Sequence, residues 1–92
     1  MDFEWDENKN GVNKDKHGVS FKEAINLWQI THVVVPTSVK YKLPESRELI
    51  IGKIQDQIFS CVYTIRRGKI RIISCRKARE HEKRIYYEKI KS

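Results

Sequence analysis

The chain is poor in the residues that build staples, kinks and membrane anchors. It holds two cysteines, two prolines and four glycines in 92 residues. Cys61 and Cys75 form no CxxC motif and have no histidine at metal-ligand spacing, which argues against structural zinc. Both lie in apolar runs and read as buried free thiols of strands, which suits a reducing cytoplasm. Apolar runs are no longer than Val33-Val34-Val35, far short of a bilayer span. The opening Met1-Asp2-Phe3-Glu4 is acidic and has no apolar stretch, so no signal peptide is expected. Walker, GxSxG, HExxH and dinucleotide-binding motifs are all missing. Acidic residues never cluster densely enough for two-metal chemistry, and Asp6-Glu7 alone does not make such a site.

Positive charge is what the chain has in excess. The net charge is +7, and it is unevenly placed. Residues 1–46 hold six Lys/Arg against seven Asp/Glu, whereas residues 47–92 hold thirteen against five. A basic half beside a near-neutral half suggests a polyanion met by one side of the fold. The length allows one domain over residues 1–92 with one modest core. A large buried cofactor site is a poor fit, and a shallow basic face is a good one.

Local signals predict mixed secondary structure. Residues 2–5 alternate Phe3 and Trp5 against Asp2 and Glu4, as in a short strand. Asp6 can cap a helix that is acidic at its start and basic at its end, with Gly18 as its left-handed terminator. Ser20 and Glu23 form a capping box, followed by Phe21, Ala24, Ile25 and Trp28 on one helical face. Residues 33–35 are β-branched and stop at Pro36, and residues 37–46 read as a loop. Residues 47–54, 58–66 and 70–75 read as strands of an antiparallel meander, with turns at Asp56-Gln57 and Arg67-Gly68. Residues 79–91 are charged and helix-compatible, with Ala78, Ile85 and either Tyr86 or Ile90 facing inward.

The chemistry suggested is action on RNA. An RNA strand is cut without metal when its 2′-hydroxyl attacks the adjacent phosphate, which needs a base, an acid and positive charge on the developing dianion. Arginine supplies that charge through a planar fork. Arg66 and Arg67 end one strand; Arg71, Arg76 and Lys77 belong to the next. Strict alternation puts Arg71 and Arg76 on opposite faces, one to meet RNA and the other to be solvated or paired with a carboxylate. His17 is the preferred acid/base candidate because histidine titrates near neutrality, ahead of His32 and His81. Tyr63 and Tyr86 can bond a phosphate or stack on a base, though packing is their default role.

These residues sit in a pattern that resembles a known family. Phe3-Glu4-Trp5-Asp6, Lys9, Asn13, Lys16-His17-Gly18-Val19-Ser20-Phe21 and Glu23-Ala24 open it. Glu45-x-Arg47, Ile51-Gly52 and Val62-Tyr63-Thr64-x-Arg66 continue it. Arg71-Ile72-Ile73-Ser74-x-Arg76-Lys77-Ala78, Glu82 and Tyr86 close it. The chain resembles the BrnT family, the toxins of BrnT/BrnA type II toxin–antitoxin systems. It departs at Cys75, where alanine is usual, at Pro44, where glycine is common, and at residues 29–32, where an Asp-Pro is missing.

The resemblance implies an α+β, RelE-like fold: an antiparallel sheet of about four strands, two N-terminal helices and one C-terminal helix. It implies RNA cleavage that halts translation, with no metal or organic cofactor. It implies a BrnA-type antitoxin as protein partner, a heterotetramer with it, and operator DNA met only through the antitoxin. Carried over, His17, Arg66, Arg76, Lys77 and Tyr63 are catalytic candidates. Lys16, Arg47, Arg71 and Tyr86 are RNA-binding candidates, with Glu45 and Glu82 in support. Glu45 and Arg47 read equally as a structural ion pair, and Glu82 as a salt-bridge partner of a strand arginine. The rivals are a non-catalytic nucleic-acid- or antitoxin-binding module, including a decayed toxin that keeps the fold, and a purely structural partner in operon repression.

Overall fold

A computed structural model describes residues 2–37 and 47–91. Strand β1 (Phe3–Glu4) leads into helix α1 (Glu7–His17) and the single turn α2 (Phe21–Ala24), which runs on as a 3-10 turn, Ile25–Gln29. Strands β2 (His32–Pro36), β3 (Glu48–Ile54), β4 (Gln57–Arg66) and β5 (Lys69–Lys77) follow, and helix α3 (Glu80–Ile90) closes the described chain.

The sheet has five strands in the order β1-β5-β4-β3-β2. The meander is antiparallel, as expected, but β1 joins β5 in parallel, with Phe3 beside Ile70 and Glu4 beside Arg71. The expected four-stranded antiparallel sheet is therefore corrected to a mixed one of five. A two-residue strand that pairs across almost the whole sequence leaves no turn signature to read.

Both faces of the sheet are covered. Val19, Phe21, Ala24 and Leu27 pack on one face against Ile50, Cys61, Ile72 and Cys75. On the other, Tyr86 of α3 and Ala78 pack with Val33, Leu49, Ile51 and Ile58. The run Leu49–Gly52 in β3 is buried throughout because each alternate residue finds cover.

The second helix is shorter than its pattern suggested. Phe21, Ala24 and Leu27 are all fully buried. Their spacing of three matches a 3-10 turn, so the chain tightens to bring Leu27 inward. Ile25 and Trp28, expected on the core face, are only partly buried against its margin. Leu27 presses on Gly52, where an added Cβ would stand 2.8 Å from Leu27 Cδ2.

Helix α1 is held by polar contacts rather than an apolar stripe. Asp6 Oδ1 accepts the N–H groups of Asn8 and Lys9, and Gly18 ends the helix at φ 75°. Asn13 is its buried residue. The Asn13 amide donates to the Val19 and Cys75 carbonyls, both at 2.8 Å, and its oxygen accepts the Cys75 N–H at 3.0 Å. Asn13 thus takes the place a neighbouring strand would hold along β5.

Candidate nucleic-acid interface

The end of β5, the end of α1 and the β3–β4 turn meet around a groove of about 710 Å³. Lys16, His17 and Gly18 form its helical wall, Ile54, Gln55 and Gln57 the opposite rim, and Arg76, Lys77 and Arg79 the cationic side. Phe59 also lines it, directly across from Lys77 in the β4–β5 register. Among the described residues that line it, none is acidic. Asn13 fixes how far α1 stands from β5, and so sets where Lys16 and His17 lie relative to Arg76.

A register irregularity shapes the basic strand. Val62 faces Ser74 but Tyr63 faces Ile72, which leaves Ile73 without a partner on β4. Beyond this bulge the alternation changes phase. Ser60, Val62 and Thr64 share one face of β4, so their partners Arg76, Ser74 and Arg71 share it too. The expectation that Arg71 and Arg76 point opposite ways is thereby corrected. Both lie on the α3 side of the sheet.

The two arginines nevertheless have different partners. Arg71 Nη1 is 3.4 Å from Glu4 on β1. Arg76 makes a two-pronged contact with Glu82 of α3, Nη1 to Oε1 at 2.8 Å and Nη2 to Oε2 at 2.9 Å. Oε1 also accepts the Ser60 hydroxyl at 3.0 Å and the Arg79 N–H at 2.8 Å. Burial alone would raise the Glu82 pKa, but these donors outweigh it and hold the carboxyl at about 2. The same carboxylate pushes the Arg76 pKa up.

Four of the sequence-predicted residues therefore come together: Lys16, His17, Arg76 and Lys77, with Glu82 behind Arg76. The other described ones do not line the groove. Tyr63 lies three residues along β4 from the partner of Arg76 and Arg66 lies six, roughly 10 and 20 Å of strand. Tyr63 is buried, donates its hydroxyl to Glu48 at 3.0 Å and packs edge-on against Trp28. Burial and the Glu48 carboxylate together push its phenol up to about 12. Tyr86 sits in the core beneath α3, and Arg47 precedes β3 away from the groove. Arg47 Nε is buried with no hydrogen-bond partner among the described residues. Glu45 lies outside the described residues. Of the weaker histidines, His32 starts β2 and His81 lies on the first turn of α3, and neither lines the groove.

Sequence reasoning missed Arg79, Ser60 and the glutamine rim. Arg79 was visible as the continuation of the basic run 76–79. Gln55 and Gln57 carried no chemical signal, and reach the groove because a two-residue turn joins β3 to β4.

Fold and groove define a small α+β protein that presents a cationic cleft built from one helix end and one strand end. The chain belongs to the family described as the ribonuclease toxin, BrnT, of type II toxin–antitoxin systems, whose model it matches over residues 5–82. Membership implies a protein antitoxin as partner. No curated protein matches the chain. Among the described residues no helix is long and apolar enough to cross a membrane, and no group of three or more His, Cys, Asp or Glu could hold a metal ion.

Proposed function

We propose that the protein is a metal-independent endoribonuclease that arrests translation in the cytoplasm and is neutralised by a BrnA-type antitoxin. The observation that carries this reading is the cationic groove that gathers His17, Lys16, Arg76 and Lys77. In the proposed reaction the 2′-oxygen of the RNA bonds to phosphorus and the bond from phosphorus to the 5′-oxygen breaks. The products are a 2′,3′-cyclic phosphate and a free 5′-hydroxyl. The 2′-hydroxyl gives up a proton and the leaving oxygen gains one; His17 serves as one of the two proton-transfer groups. Arg76, Lys77 and Lys16 stabilise the charge that grows on the phosphoryl oxygens. Arg66, Arg71 and Arg47, outside the groove, are assigned to positioning a longer RNA strand. The antitoxin would supply the operator-binding part, within a heterotetramer.

The direct test is cleavage of an end-labelled RNA in EDTA by the purified chain. Discrete fragments ending in cyclic phosphate are expected. His17→Ala and Arg76→Ala should each lower the rate by about 10²- to 10⁴-fold, the usual range for an acid/base or charge-stabilising group. Cleavage unchanged in both variants would place the site elsewhere. Intact RNA with a folded protein would favour a non-catalytic binding module.

A further inference from the structure

The contact between Arg76 and Glu82 occupies one end of the guanidinium and leaves one edge open. Arginine has five N–H donors in a fixed plane. Glu82 takes one from Nη1 and one from Nη2. The second Nη1 hydrogen leans on the Lys77 carbonyl at 3.3 Å. The remaining two, on Nε and Nη2, lie side by side along one edge and have no partner among the described residues. That edge matches two oxygens of a phosphodiester. Arg76 is 26% exposed and lines the groove, whereas the Glu82 side chain behind it is 5% exposed.

The carboxylate is itself fixed from two further directions. Ser60 is 1% exposed, a hydroxyl in the middle of an apolar strand, and it donates to Glu82. The Arg79 backbone N–H donates from the start of α3. β4, β5 and α3 thus converge on one carboxylate, and that carboxylate faces one guanidinium.

We propose that Ser60 and Glu82 are positioning residues that lock one end of Arg76 and aim its open edge at a phosphodiester of the bound strand. The substrate part of this assignment rests on the ribonuclease reading; the aiming of Arg76 does not. Ser60 touches no substrate and acts through Glu82, and Glu82 acts through Arg76. A buried serine and glutamate serving only the fold would stabilise the protein without governing how Arg76 meets phosphate.

The test combines arginine-detected NMR with cleavage kinetics, using the full chain and the variants Ser60→Ala and Glu82→Gln. The NMR probe is a 2′-deoxy oligonucleotide, which binds but lacks the attacking hydroxyl. In the wild type the Arg76 Nε–H resonance should shift saturably with the probe. In both variants that shift should shrink several-fold, while amide spectra still report the native fold. With the matching RNA, kcat should fall about 10- to 100-fold in Glu82→Gln, as a misaimed group costs, and several-fold in Ser60→Ala, with KM changed far less in both. If Glu82→Gln does not fold, Ser60→Ala carries the test, because it leaves the Arg76–Glu82 contact itself intact. RNA cut at wild-type kcat by the folded variants would overturn the proposal and leave the ribonuclease reading standing. An Nε–H shift that depends on Ser60, with no cleavage by the wild type, would do the reverse. An Arg76 resonance indifferent to the probe in the wild type would also overturn the proposal.

Discussion

At Glu82 burial and hydrogen bonding pull the carboxyl in opposite directions. Its ordinary pKa of 4.5 falls to about 2 in the folded chain because Arg76, the Arg79 N–H and Ser60 all donate to it. The folded value lies below the unfolded one, so the ionised carboxylate favours the native state. That contribution is complete above about pH 5. It is lost as pH drops from 4.5 towards 2, where the native carboxylate finally takes up its proton. A shift of this size is worth at most about 3 kcal/mol. Glu23, also held near 2 by Lys14 and Ser20, titrates in the same window, but its half-exposed ion pair with Lys14 adds little. Denaturant midpoints measured from pH 6 to pH 2 should therefore fall steeply below pH 4.5, and Glu82→Gln should flatten most of that slope. A variant as acid-sensitive as the wild type would show that Glu82 is not the group responsible.

Between elements, one asparagine joins α1 to β5. Asn13→Ala would leave the Cys75 N–H and the Cys75 and Val19 carbonyls without their partner in a buried place. An unsatisfied buried backbone group costs roughly 1–3 kcal/mol, so a loss of about 3 kcal/mol in unfolding free energy is expected. Since Asn13 also sets the spacing of His17 from Arg76, cleavage should fall in a variant that is still folded at low temperature. An Asn13→Ala protein of wild-type stability would show that α1 is held some other way. Elements whose signals are local were legible from sequence: the Asp6 cap, the Ser20–Glu23 capping box and the turn at Arg67-Gly68 all stand where expected. Elements set by distant partners were not. The parallel β1–β5 pairing spans almost the whole chain, and the bulge at Ile73 has no residue signature. That single inserted residue overturned the alternation argument for Arg71 and Arg76. Juxtaposing His17 with Arg76 needed the family pattern, because some sixty residues separate them and no periodicity links them. The same pattern could not show that Arg66 and Tyr63 lie far along β4.

Across the whole molecule, the +7 charge resolves into a groove at one end of the sheet and strand arginines spread towards the other. Lys16, Arg76, Lys77 and Arg79 are the four fixed cations of the groove. If each meets one phosphate, binding of an uncleavable single strand should weaken with salt at a logarithmic slope near −3, since each contact on single-stranded nucleic acid contributes about −0.7. Lys16→Ala and Lys77→Ala should each weaken binding and remove about 0.7 from the slope. Exposed cations remote from the groove, such as Lys69 at the β4–β5 hairpin, should change the slope far less if binding is local. A slope insensitive to both groove lysines, but reduced by neutralising Arg67 or Lys69 at the far hairpin, would move the binding face to the opposite end of β5. An acidic antitoxin covering the groove should compete with the oligonucleotide and lose its advantage as salt rises. An antitoxin that binds without displacing it must sit on another face.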